Sequence, residues 1–270
     1  MSAYIPIPSP SSDPALLTTI PAVEAFLAGT PFASQSIADL TGGTANYAYR
    51  VHLTSPFDGH TTVILKHAQP HVRTRTSLQF DIIRQVRALH PYLDSFSQSQ
   101  SLSQTFEVEA LTRVKSWLPS TSLVTVPKVY HFDPHNRLII MEDCGVDAVT
   151  LKDFLRSGKA SPPGLAQKIG TSLGEFIAAM HEWSKTNPDG ILDVFDKSVQ
   201  AKKLSGWATY GRLLPTLDPT AEDVPPKLLD PPLEVRDSDL EVIAKIADEL
   251  QADMMSASDV VSFCLPCIAK

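Results

Sequence analysis

The first residues that could do chemistry are a single lysine and a pair of glutamates. Lys66 closes the β-branched run Thr61-Thr62-Val63-Ile64-Leu65-Lys66-His67. Strand alternation puts Val63, Leu65 and His67 on one face and Thr62, Ile64 and Lys66 on the other. A helix over 106–118, stopped by Pro119, carries Glu107 and Glu109. The two lie about 200° apart around a helix, so only one can face a sheet. Glu107 shares its stripe with Leu111, Val114 and Leu118, whereas Glu109 lines up with Thr112, Arg113 and Ser116 and can form an i,i+4 pair with Arg113. A carboxylate on an apolar stripe requires a cation, because unpaired burial costs several kcal/mol, and Lys66 is the natural partner. Upstream, Thr41-Gly42-Gly43-Thr44-Ala45-Asn46 forms a tight turn. Gly42 and Gly43 allow positive φ and close backbone approach, and Thr44 and Asn46 offer short polar side chains to phosphate oxygens. A Gly-Gly turn alone is usually only a turn. Preceded by that turn and followed by a helix with a well-placed acid, Lys66 suits the α- and β-phosphates of ATP.

The elements that must position these groups follow from the pattern. Residues 1–14 are rich in Pro and Ser and read as loosely draped. A short helix is predicted over 21–28, with Thr19 as N-cap and Gly29 as its stop. Strands are predicted over 37–40, 47–53 and 61–67. The polar stretch 69–104 ends in a Ser/Gln-rich tract and reads as an insertion, with a short helix over 82–89. Two apolar runs, 126–132 and 138–141, flank Asp133-Pro134-His135-Asn136 and predict a hairpin. Beyond Met141, the residues Glu142, Asp143 and Gly145 break the strand before an amphipathic segment near Leu151. Helices are then predicted over 162–184, capped by Ser161, and from Ser238 to about Met254, with Glu241 completing a capping box. Residues 187–234 are rich in Pro and Asp and show no clear period.

Val126-Pro127-Lys128-Val129-Tyr130-His131-Phe132-Asp133, followed by Leu138-Ile139-Ile140-Met141-Glu142-Asp143, resembles the aminoglycoside phosphotransferase and choline kinase superfamily, nearest its methylthioribose kinase-like branch. The resemblance runs from about Ile37 to His181 and fades beyond. It implies an α+β, protein-kinase-like two-lobe fold, with an antiparallel-sheet small lobe and an incomplete helical large lobe. The corresponding divisions are an N-terminal extension (1–33), a small ATP-binding lobe (34–141), a hinge (142–148), a partial large lobe (149–256) and a tail (257–270). ATP is the implied cofactor. Its expected contacts are Gly42, Gly43, Thr44, Asn46, Lys66 and Glu107, together with the hinge residues Met141, Glu142, Asp143 and Cys144, whose backbone would grip adenine.

The bulk numbers exclude several alternatives. The 270 residues carry a formal charge of −7 and a pI of about 5.6, which gives no basic field for nucleic acid or an anionic membrane. No apolar run approaches the roughly 18–20 residues of a membrane helix, and the N-terminus lacks a basic start and an apolar signal core, so a cytoplasmic location is expected. Three cysteines make no disulfide framework. Cys264-Leu265-Pro266-Cys267 lies outside any strand-helix unit that would position a redox pair, and Cys267-Ile268-Ala269-Lys270 ends in the wrong residue for prenylation.

Phosphoryl transfer also needs a carboxylate to accept the acceptor's proton and ligands for Mg²⁺. The resemblance implies His-x-Asp-x-x-x-x-Asn and a later metal-binding Asp, and none of the eight histidines begins that spacing. The run His131-Phe132-Asp133-Pro134-His135-Asn136 is too short and reads as a turn, and His181 reads as a structural helix residue. No catalytic or metal-binding residue is therefore assigned, and Mg²⁺ is expected only in a full-length relative. The first expectation is an ATP-dependent small-molecule kinase, C-terminally truncated and inactive as written, whose acceptor in full-length form is a sugar, thiosugar or amino alcohol. The second is a non-catalytic nucleotide- or partner-binding pseudo-kinase, or a truncated product, with a protein partner over the incomplete lobe. A protein kinase fits less well, because the loop lacks Gly-x-Gly-x-x-Gly.

Overall fold

The structure, a computed structural model, describes residues 17–40, 46–69, 71–73, 75–79, 99–157, 162, 164–187, 194–195, 206–211, 213–217 and 235–256. Helix α1 (Ile20–Leu27) begins after Thr19, whose extended backbone is that of an N-cap although its side chain makes no capping bond. It ends before Gly29, at φ 77°, the left-handed conformation that glycine adopts without a Cβ clash.

Strands β1 (Ser34–Asp39), β2 (Tyr47–Phe57), β3 (His60–His67), β6 (Val129–Asp133) and β7 (Leu138–Glu142) form one sheet in the order β1-β2-β3-β7-β6. Every neighbouring pair is antiparallel, and the architecture is α+β. β1 and β2 each run longer than the apolar pattern suggested, because their polar ends continue the ladder beyond the buried core. Asp58 and Gly59, both at positive φ, close the β2–β3 hairpin, as a two-residue turn of this twist requires. A separate pair, β4 (His71–Val72) with β5 (Arg75–Gln79), lies inside the predicted insertion. The helix predicted over 82–89 lies outside the described residues.

Both faces of the sheet are covered, by different means. On the first face Tyr49, Val51, Val63, Leu65, Leu138 and Ile140 pack against Val23, Phe26 and Leu27 of α1 and against Phe32. Each of these aliphatic side chains is essentially fully buried and contributes roughly 1.5–3 kcal/mol relative to exposure. On the second face Ile64, Ile139 and Met141 meet Val108 of α2 (Ser99–Trp117). Thus β7 is apolar at consecutive positions because it is central and buried on both sides. Helix α2 starts seven residues before Phe106, inside the Ser/Gln tract read as insertion. Ser and Gln do not forbid helix, and buried Gln104 anchors this end by donating from Nε2 to the Arg137 carbonyl at 2.9 Å.

Helix α3 (Leu151–Arg156) is capped by Thr150, whose side chain accepts the Asp153 N–H. Helix α4 (Leu165–Thr186) buries Phe176 and Met180, and Phe176 joins Leu111, Val114 and Val126 in a third apolar cluster. Trp117, at the end of α2, stacks on Phe176 at 6.1 Å and on Trp183 at 5.9 Å between ring centroids. Ser161, the predicted cap of α4, lies outside the described residues.

The described residues fall into two compact units, those up to Trp183 and those from Ser184 to Ser256. In the second unit a π-helical turn (Trp207–Gly211), α5 (Leu213–Leu217) and α6 (Asp237–Ser256) pack on one another. A Cβ at Gly206 would stand 3.2 Å from Gln251 Cγ, a tight contact that the Gln251 side chain would have to relieve by a few tenths of an ångström. α6 starts at Asp237 rather than after a Ser238 cap, and an Arg236–Asp239 ion pair at 2.7 Å stands at its entry in place of the predicted capping box. It buries Ala247, while Val242, Ile246 and Leu250 are exposed. Among the described residues, no helix is long and apolar enough to cross a membrane.

Candidate functional site

Antiparallel register sets which side chains share the second face of the sheet. Ala48, Lys66 and Ile139 lie in one cross-strand row, and Arg50, Ile64 and Met141 in the next. Val63, Leu65 and His67 point to the opposite face and are fully buried. Lys66 therefore leaves the sheet beside α2. There its Nζ donates to Glu107 Oε1 at 2.5 Å and Oε2 at 2.6 Å. The two side chains are 15% and 24% exposed, which leaves one open side to an otherwise desolvated pair. Glu109 instead accepts from Arg113 Nε at 3.0 Å on the outer face of α2. The helix period distinguished the two acids correctly in geometry: one stripe meets the sheet, the other meets solvent.

The connector after β7 is held by both of its acids. Arg50, in the middle of β2, donates from Nε to Asp143 Oδ2 at 2.6 Å and from Nη2 to Oδ1 at 3.2 Å. Its guanidinium also reaches the carbonyls of Gly145 at 3.0 Å and Val146 at 3.3 Å. The Gly145 N–H closes back on Asp143 Oδ1 at 3.0 Å. Burial alone would raise the Asp143 pKa, but the bonds from Arg50, Gly145 and Thr62 outweigh it and hold the carboxyl below its ordinary value. Glu142 Oε2 accepts from the Lys128 N–H at 2.9 Å and from Lys115 Nζ of α2 at 3.2 Å. Burial opposes ionisation there too, and those two donors again overcome it. Both carboxylates are therefore occupied in shaping the chain, and the Glu142 N–H is itself bonded to the Lys128 carbonyl at 2.8 Å.

The remaining predicted site residues are placed as follows. Gly42, Gly43 and Thr44 lie outside the described residues, and Asn46 stands at the bend that enters β2. Met141 is 8% exposed, in the row with Ile64 and Arg50. Cys144 is half-buried and not in a disulfide. The tail cysteines also fall outside the described residues. The His-x-Asp run is a turn: Asp133 accepts the N–H groups of His135 and Asn136 at 2.9 and 3.0 Å, and the Asn136 side-chain amide at 2.6 Å. His181 is exposed on α4. A shallow groove of about 420 Å³ between Leu123 and the start of α4 contains none of these residues, and its open, mixed lining gives it no chemistry to compete with the ion-paired sheet face.

Sequence reasoning missed Arg50 and Lys115. Arg50 gave a signal, being a cation in phase with Ala48 on a sheet strand, where a partly buried guanidinium needs a carboxylate. Lys115 follows buried Leu111 by four residues and so belongs to the same helix face. In each case the partner is far along the chain and becomes visible only with the strand register.

No protein-family model matches the chain. Among curated proteins it is similar to a 4-hydroxytryptamine kinase of Psilocybe cyanescens, 29% identical over 86% of this chain and 58% of the relative. A 4-hydroxytryptamine kinase of Psilocybe cubensis is 27% identical over 58% of this chain and 39% of the relative. Phosphotransferase FrzJ of Cladobotryum sp is 28% identical over 68% of this chain and 47% of the relative. The chain thus spans less than two thirds of the length of the curated relatives it matches, all of them kinases or phosphotransferases by name.

Proposed function

We propose that this chain is the nucleotide-binding part of an ATP-dependent small-molecule phosphotransferase with a protein-kinase-like two-lobe fold, within the aminoglycoside phosphotransferase and choline kinase superfamily. The observation that carries this reading is the Lys66–Glu107 pair, bidentate and partly desolvated between a five-stranded antiparallel sheet and the helix that crosses it. A lysine so held presents a fixed positive charge to phosphate oxygens, and the acid keeps it from folding back onto the sheet. The adjoining row, Ile64 and Met141, offers an apolar surface for a flat base, beside the connector at Asp143 to Gly145. Gly42, Gly43, Thr44 and Asn46 complete the cradle in this reading. ATP supplies the phosphoryl group; the residues named here bind and orient it. Among the described residues no cluster of three or more His, Cys, Asp or Glu could hold a metal, and no ligand to Mg²⁺ is assigned.

The acceptor is a hydroxyl on a small molecule. An amino alcohol, or another hydroxy compound that also carries an amine, fits both the superfamily resemblance and the names of two relatives. A second reading, nucleotide binding without transfer by this chain on its own, is favoured by the absence of His-x-Asp-x-x-x-x-Asn among its eight histidines.

Titration calorimetry of the full chain with Mg-ATP tests the proposal. Wild type is expected to bind, and Lys66→Met to bind more weakly by about 1.5–3 kcal/mol, the range for hydrogen bonds to charged groups, or roughly 10- to 150-fold in Kd. Equal binding by the two proteins would refute the assigned role of Lys66. Release of ADP in the presence of hydroxy amines separates transfer from binding alone.

A further inference from the structure

Arg50 makes more contacts to the connector than a stabilising ion pair requires. Its guanidinium spans both oxygens of Asp143 and the carbonyls of Gly145 and Val146. It thereby turns two consecutive backbone acceptors inward and fixes Gly145 at φ 130°, a conformation that side-chain-bearing residues rarely adopt. The Asp143 side chain is 3% exposed, so its charge is spent on this arrangement. Past Glu142 the connector has no ladder partner in the sheet, and Arg50 is its rigid tie to β2, which is itself paired on both sides, to Ala38 and Ile64.

The placement of Arg50 relative to Lys66 gives the tie its meaning. Both side chains leave the same face of the sheet, one cross-strand row apart, a separation of about 6.6–6.8 Å along the strands. One end of a nucleotide would meet the Lys66 row and the other the connector that Arg50 shapes. We infer that Arg50 is a positioning residue that holds the Asp143–Val146 backbone in register with Lys66, so that the base end of ATP is placed relative to its phosphates. This inference rests on the nucleotide reading above. Lysine cannot replace Arg50, because a point-charge ammonium lacks the planar fork that engages a carboxylate and two carbonyls together.

The test separates the two ends of the ligand, using adenosine and tripolyphosphate as probes alongside ATP, with the full chain and variants Arg50→Met, Arg50→Lys and Asp143→Asn. Circular dichroism first identifies the variants that retain the fold. Each folded variant is expected to lose about tenfold in affinity for ATP and adenosine, the equivalent of one hydrogen bond to the base, with tripolyphosphate binding unchanged. Lys66→Met should show the reverse pattern. Hydrogen exchange at the amides of residues 145–148 should accelerate in Arg50→Met while β3 stays protected. Unchanged adenosine affinity, an equal loss for both probes, or unchanged exchange at the connector would each overturn the inference. Wild type that binds no probe would remove the nucleotide reading and the positioning role with it. Faster connector exchange in that case would leave Arg50 as a structural tie only.

Discussion

Replacing either member of the Lys66–Glu107 pair leaves a charge on a sheet face from which most water is excluded. Fully exposed pairs contribute about 0.2–1 kcal/mol, whereas breaking a fully buried pair costs about 3–5 kcal/mol. With side chains 15% and 24% exposed and two short charge-assisted bonds, this pair falls between those limits. Lys66→Met or Glu107→Gln alone should destabilise the first unit by about 2 kcal/mol, and the double variant by less than the sum, with a coupling of about 1.5 kcal/mol. Trp117 and Trp183 both lie in the first unit, so urea unfolding followed by fluorescence reads it directly once Trp207, the third tryptophan, is changed to Phe. Raising the salt from 0.1 to 1 M should change the coupling little, because a partly buried pair is poorly screened. A coupling below about 0.5 kcal/mol, or one abolished by salt, would place the pair among ordinary surface contacts and refute the claim that Lys66 is held by a desolvated partner.

Three further outcomes follow from the packing and the titrating groups. Trp117→Ala removes a ring stacked on Phe176 and Trp183 and should cost about 3 kcal/mol, read as a lowered unfolding midpoint of the first unit. Asp143 and Glu142 are each held below their ordinary values of 3.8 and 4.5, so in acid the unfolded chain binds more protons than the folded one. Their stabilisation is complete above those values and is lost as pH falls through the depressed ones. Arg50→Met should flatten the Asp143 part of that loss in denaturation series below pH 5. The Tyr49 phenol is pushed up to about 12, by burial first and the Asp39 charge second. The unfolded chain therefore ionises first, from about pH 10, and stability should fall between pH 10 and 12. Burial also raises the Tyr130 phenol, so Tyr49→Phe should remove only the Tyr49 share of that decline, as read by urea denaturation between pH 10 and 12.

What the sequence disclosed, it disclosed through local period and the cost of burying charge. Glu107 could be chosen over Glu109 because one stripe of α2 is apolar, and β3 could be read because its two faces differ. Chain-end effects were less legible: β1 and β2 extend into polar residues whose backbone still pairs, and α2 begins within a Ser/Gln tract that carries no periodic signal. The connector was legible as a backbone contact for a base, but the partners of its two carboxylates, Lys115 for Glu142 and Arg50 for Asp143, were not. That information resides in contacts between residues far apart in the chain, and only the register of five strands reveals it. At α6 the capping-box pattern at Ser238 and Glu241 misled, because an Arg236–Asp239 pair stands at the helix entry.

Helix α2 makes two ion pairs to the sheet, Glu107 to Lys66 and Lys115 to Glu142. Their separation, eight residues at about 1.5 Å each, makes the helix a lever roughly 12 Å long, whose far end carries Trp117 stacked on Phe176 and Trp183. A rod fastened at both ends cannot swing about one of them. Withdrawing Glu107 from Lys66 would strain the Lys115 tie at the same time, so the helix must shift as a whole or stay in place.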